Sequence, residues 1–246
     1  MALLPLFEPV DTGAGEVGAA WLGRLLQITD SAYPTGVFAH SGGLEGLVQL
    51  GQVGTLAELE GFLTGSVFSG LEFCHLPILR MSAAATADGD VEALGRLDET
   101  AAAMLTPEEL RLASSRSGRQ RLELMKTVMH LKEKSPEEWN VLTGILTSRQ
   151  LPVIAGMEAA WLGIPVDAAM HAYAFGSLSG LLSASMKIMR LGQTAVQEML
   201  HRLVARLPLL IARSREIDLD TLGFFTPVAD IASARHKHAA SRLFLS

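Results

Sequence analysis

AAMHAYAFGSLSGLLSASM, Ala168 to Met186, runs 19 residues without a formal charge between Asp167 and Lys187. As a helix it would extend about 28 Å, close to the thickness of a bilayer's hydrocarbon core. Its reading decides the fold, because it is either a membrane span or a helix sheathed by other helices. His171 and four serines stand inside it, and the long Leu, Ile and Phe side chains that favour insertion are sparse. Gly176 and Gly180 form a Gly-x-x-x-Gly pair, which permits close helix approach in either setting. The stretch reads as a buried apolar helix at the centre of a helical protein. A small membrane-associated helical protein built on residues 168–186 is the rival.

Working outward, helix starts recur along the chain. Thr55 with Glu58, Thr106-Pro107-Glu108-Glu109 and Ser135-Pro136-Glu137-Glu138 all read as capping boxes, the last two with proline at the first helical position. Apolar residues follow at helical spacing: Leu22, Leu25 and Leu26; Leu56, Leu59, Phe62, Leu63 and Val67; Leu94, Leu97, Ala101 and Leu105. Further helices are expected over 118–134, 136–147, 153–162, 166–190 and 193–214. Short breaks separate them at Asp88-Gly89-Asp90, Ser117-Gly118, Gly163-Ile164-Pro165 and Leu222–Pro227. The expectation is an all-α fold: one helical bundle of about ten helices with a buried apolar central helix.

Composition agrees. Hydrophobic residues make up 49% and charged residues 19%, so some helices must be apolar on nearly every face. The net charge of −6 argues against nucleic acid as the main partner. Seven Lys/Arg fall between Arg111 and Lys134, either a solvated helix face or a docking surface for an acidic partner. Cys74 is the only cysteine, which excludes an internal disulfide and a multi-cysteine zinc cluster. MALLPLFEP at the start has no basic region of a secretory leader, and the expected location is cytoplasmic.

Signatures of P-loop, dinucleotide-binding, α/β-hydrolase and His-Glu-x-x-His chemistry are absent. No two of the seven histidines stand three or four residues apart, the spacing that puts two ligands on one helix face. Cys74-His75 are adjacent and diverge by about 100° on a helix, so a buried structural pair is the plainer reading. In SAYPTGVFAHSGGLE, Ser31 to Glu45, Pro34 and Gly36 suit a tight turn, Phe38 an anchor, and Ser41 an N-cap. His40 there either hydrogen-bonds the loop into one shape or serves as a base or transient metal ligand.

LLQITDSAYPTGVFAHSGGLE, Leu25 to Glu45, closely resembles the N-terminal signature of the urease accessory protein UreF family. The matching positions are Asp30, Ser31, Pro34, Gly36, Phe38, His40, Ser41, Gly43, Leu44 and Glu45. Three more segments resemble the family in order: Glu109–Leu122, KIMRLGQT at Lys187–Thr194, and the tail Thr226–Ser246. Departures stand at Arg149-Gln150-Leu151, where the family often has Gly-His before Pro-Val, at Lys237, and at Ala240.

The resemblance implies an all-α homodimer with no enzymatic activity and no cofactor of its own. It would be a urease maturation chaperone bridging UreD (also called UreH) and the GTPase UreG for nickel insertion into apo-urease. Residues 1–20 would be a flexible segment, and 21–246 one UreF-like domain whose tail, 228–246, can move. Partner contacts are expected at Lys187, Arg190, Arg235, His236, Arg242, Leu243 and Phe244. His40, Cys74, His75 and His236 are the candidates for touching nickel in transit. A cytosolic enzyme in which His40 acts with Glu45 or Asp30 remains the catalytic alternative.

Overall fold

Helices follow one another along nearly the whole described chain. The computed structural model describes residues 20–35, 40–129, 136–236 and 243–244, and no strand occurs among them. In order the helices are α1 (Ala20–Thr29), α2 (Leu44–Gln49), α3 (Leu56–Ala87), α4 (Val91–Met104), α5 (Glu108–Val128) and α6 (Pro136–Ile145). They continue as α7 (Leu151–Trp161), α8 (Val166–Ile188), α9 (Gln193–Val204), α10 (Leu207–Ser214) and α11 (Pro227–His236). The N-terminal segment 1–19, Gly36, Phe38, Ser135, Lys237, Ala240 and Arg242 lie outside the described residues.

Thr55 starts α3 as the sequence requires. Its hydroxyl accepts from the Glu58 amide at 3.3 Å, and the Glu58 carboxylate accepts from the Thr55 amide at 2.9 Å. Pro77, inside this helix, has no N–H for the Phe73 carbonyl four residues back. The Gly223 amide donates to that carbonyl at 3.1 Å, tying the α10–α11 loop to α3. Two wider π-type turns, Leu63–Val67 and Leu71–His75, precede the proline.

The most completely sheathed helix is α7, not α8: every residue from Pro152 to Ala159 is buried. It lies along α3 so closely that a Cβ on Gly156 would stand 2.3 Å from the Leu79 carbonyl oxygen. A side chain there would push the two helices apart, at a cost of roughly 1–3 kcal/mol. By contrast, α8 buries Ala174, Leu178 and Leu182 and leaves Phe175 exposed, with open space around Gly176. The Gly-x-x-x-Gly pair thus does not mark a contact at Gly176; the close approach belongs to Gly156.

Two apolar clusters share α3 and α7. One gathers Leu44, Leu59, Leu63, Leu71, Leu178, Leu203 and Ile211 from α2, α3 and α8 to α10. The other gathers Ile78, Leu94, Leu97, Met125, Trp139, Leu142 and Ile154 from α3 to α7. They form a single helical domain. Among the described residues α3 alone is long and apolar enough to cross a membrane, and 56% of its apolar window is buried inside the fold.

Two expected boundaries move. Ser117-Gly118 is no break: α5 runs straight through, and Gly118 is where it crosses the α6–α7 loop, with a Cβ position 2.0 Å from the Arg149 carbonyl oxygen. The expected helix 193–214 divides into α9 and α10, with Pro208 in the first turn of the second.

Candidate functional site

Backbone geometry in the Ser31–Glu45 stretch is fixed by its own residues. The Asp30 carboxylate accepts from the Ala32 amide at 2.7 Å, and Tyr33 turns inward to donate to Glu158 Oε1 at 3.2 Å. Ser31 and Pro34 are exposed. Gly42 and Gly43 take φ of 59° and 87°, the left-handed region in which glycine is unstrained. The helix therefore begins at Leu44, two residues later than a Ser41 cap implies, and the buried Ser41 hydroxyl accepts from the Glu45 amide at 3.3 Å.

That turn delivers Glu45 to the middle of a buried polar knot. His236, at the end of α11, places Nε2 3.0 Å from Glu45 Oε2 and Nδ1 3.1 Å from Glu109 Oε2. A carboxylate oxygen only accepts, so both bonds form together when the ring carries two N–H groups. The Glu45 carboxylate also accepts from the backbone amides of Leu243 at 2.9 Å and Phe244 at 3.0 Å. Phe244 is buried, with Lys187 Nζ 5.4 Å from its ring centroid, a cation–π distance. Gly46 lets α2 and α11 approach: a Cβ there would stand 2.5 Å from the Ala232 carbonyl oxygen.

Each of the four resembling segments contributes to this knot: Ser41 and Glu45, Glu109, Lys187, and His236 with Leu243 and Phe244. His236 and Phe244 are held inside the chain, while Leu243, Arg190 and Arg235 are exposed. Glu109, expected in a capping box, is buried and bonded to His236, and α5 starts at Glu108 with Pro107 at its N-cap. Nothing local in the sequence distinguishes a capping carboxylate from one whose partner lies 127 residues away.

Sequence reasoning missed a buried carboxylate outside the knot. Glu158, fully buried on α7, pairs with Arg121 and accepts from the Tyr33 hydroxyl. Burial pushes its carboxyl above the usual range, while the Arg121 charge pulls it back. The signal was present: Glu158 is the one charge in LPVIAGMEAAW. Another, Asp98, fastens the loop before α7, accepting from the amides of Ser148, Arg149 and Gln150 at 2.8, 2.9 and 2.7 Å.

The candidates for touching nickel separate. Cys74 is buried and its thiol is pushed up to about 12 by burial, which disfavours the ligating thiolate. His75 is held down to about 4 by burial, with its ring edge-on to Tyr173 at 6.0 Å and Phe224 at 6.4 Å. His40 is also held below its usual range, by burial and next by the Arg116 charge. His40 and His75 line one cavity of about 220 Å³ between α3, α8 and α11, together with Ser66, Tyr173, Ser177 and Asp230. Among the described residues no three or more His, Cys, Asp or Glu side chains gather in a metal-holding group. Of the two carboxylates the catalytic alternative pairs with His40, Glu45 bonds His236 and the backbone amides of Leu243 and Phe244, and Asp30 bonds the Ala32 amide.

Comparison with known proteins decides the family. The UreF family profile matches residues 53–204, a span between the two terminal motifs. The chain belongs to the UreF family. A urease accessory protein UreF from Bradyrhizobium diazoefficiens is 31% identical over 245 residues, covering 99% of this chain and all of that one. One from Rhodopseudomonas palustris strain BisB5 is 33% identical, covering 97% and 98%. One from Chromohalobacter salexigens is 31% identical, covering 92% and 94%. UreF relatives of nearly the same length thus match the chain almost end to end, terminal segments of the knot included.

Proposed function

We propose that this chain is a non-catalytic, cytoplasmic, homodimeric scaffold of urease maturation. It bridges UreD (UreH) and the GTPase UreG while nickel is inserted into apo-urease. The observation that carries the reading is the knot. It spends the chain's signature residues on holding α11 and the end of the chain in place, which is the work of a docking platform and not of a catalytic site.

The platform has a face to offer. Phe225, Val228 and Ile231 are exposed at 83%, 58% and 59%, large apolar side chains at three-residue spacing from the residues before α11 into the helix. An apolar anchor strip with a cation on the same helix, here the exposed Arg235, suits a protein interface. We assign this face to UreD and the Lys187–Arg190 end of α8 to UreG. A second copy of the chain would cover the exposed Leu22 and Leu26 on α1. Nickel is cargo in this reading, and neutral His40 and His75 in their shared cavity are the groups suited to a brief hold on it.

A double Val228→Asp, Ile231→Asp variant, co-expressed with UreD, UreG and apo-urease, tests the assignment. Both side chains are exposed, so the melting temperature should hold while UreD co-purification and urease nickel content fall at least about tenfold. Undiminished co-purification would refute the α11 assignment.

A further inference from the structure

A second surface, away from the knot, is built for a different contact. Between α5 and α6 lies a groove of about 610 Å³ lined by Arg116, Arg119, Gln120, Glu123 and Lys126 of α5, Trp139 and Thr143 of α6, and Arg149 of the following loop. We propose that this groove docks an acidic polypeptide segment of a protein partner, held by Arg116, Arg119 and Arg149.

Four cations face one carboxylate there. That carboxylate, Glu123, is already paired with Lys126 at 2.8 Å. The three arginines enter into no ion pair among the described residues, and the Arg149 Nε is buried without a hydrogen-bond partner. Arg149 is also rigidly presented, since its own amide and those on either side all bond Asp98. An unpaired guanidinium nitrogen out of water is costly until a charged acceptor reaches it.

Dimensions and charge select the occupant. From Arg116 to Lys126 the helix advances ten residues, a rise of about 15 Å. An extended peptide spans that length in about five residues, with alternate side chains facing the same way. A segment with carboxylates at every second position would therefore meet the arginines along the groove. The volume is far more than one inorganic anion fills. A nucleic acid would have to lie across a chain of net charge −6 beyond the groove, whereas a short acidic segment meets only the groove's own field within a Debye length of about 8 Å. The proposal is independent of the α11 face, so failure of either leaves the other standing.

The test uses the full chain and a fluorescein-labelled peptide of alternating glutamate and serine, read by anisotropy at about 50 mM salt. Saturable binding is expected, weakened at least about tenfold by Arg116→Glu with Arg119→Glu and by raising the salt to about 300 mM. Quenching of tryptophan emission should accompany it, since Trp139 lines the groove. Arg119→Glu alone, at an exposed position, should weaken binding with an unchanged melting curve, which keeps the result separate from misfolding. Absence of binding, or binding indifferent to these variants, overturns the proposal. Equal binding of a short oligothymidylate would make the groove a nucleic-acid site instead, and full displacement by millimolar phosphate would make it a small-anion site.

Discussion

Glu158 and Glu45 are both carboxylates taken out of water, and the chain supports them in opposite ways. Glu158 sits mid-core on α7, with a permanent cation, Arg121, and a phenol, Tyr33, beside it. Glu45 sits at the start of α2 and is held by a histidine and two backbone amides, all from the last eleven residues of the chain. An arginine stays charged at any pH a protein meets, so the first arrangement is fixed framework. The second exists only while the C-terminus is in place. One buried carboxylate secures the core and the other reports whether the end of the chain is docked.

The most damaging way to break this contrast is Arg121→Ala. It strands the Glu158 charge in the core and should cost about 3–5 kcal/mol, read as a lower urea midpoint. A loss below about 1 kcal/mol would mean that the core tolerates the lone carboxylate. Glu45→Ala comes next. It removes the acceptor for two amides and one ring nitrogen, with an expected global loss of about 1–3 kcal/mol. Its distinctive effect should be local: hydrogen exchange at Leu243 and Phe244 speeding at least about tenfold, with the α3–α7 core still protected. Equal acceleration in both regions would erase the distinction between framework and docked end.

The smallest effect runs the other way. Arg149 is the one described non-glycine residue at positive φ, 56°, the left-handed region in which glycine is unstrained. Arg149→Gly should relieve strain and raise stability by about 1 kcal/mol, measured as a higher melting temperature. Because Arg149 also lines the basic groove, the same variant should bind the acidic peptide less well while folding better. Backbone strain and a groove-lining cation thus fall on the same residue.

Local signals were legible. The Thr55–Glu58 cap, the Asp88-Gly89-Asp90 turn and the Gly163–Pro165 break each act within a few residues, and each lies where the sequence places it. Glycines were harder, because a glycine that ends a helix and one that admits a neighbouring backbone look alike. Gly118 was read as a break and is a crossing point; Gly176 was read as a contact and faces open space, while Gly156 makes the contact. The site was legible as a set of segments and not as an assembly. Glu45, Glu109, Lys187 and His236 all lie in recognisable motifs, but their meeting depends on contacts across most of the chain, which no periodicity encodes.

Glu45 and His236 are 191 residues apart. On a ribosome adding about 5–20 residues per second, the carboxylate emerges about 10–40 s before the ring that will hold it. Through that interval α2 has its glycine turn and its serine bond but not its lock. A chain that stops short of its last residues can still pack α3 against α7, yet it cannot close the knot. The order of synthesis therefore makes the bonds from His236, Leu243 and Phe244 to Glu45 among the last contacts of the fold to form.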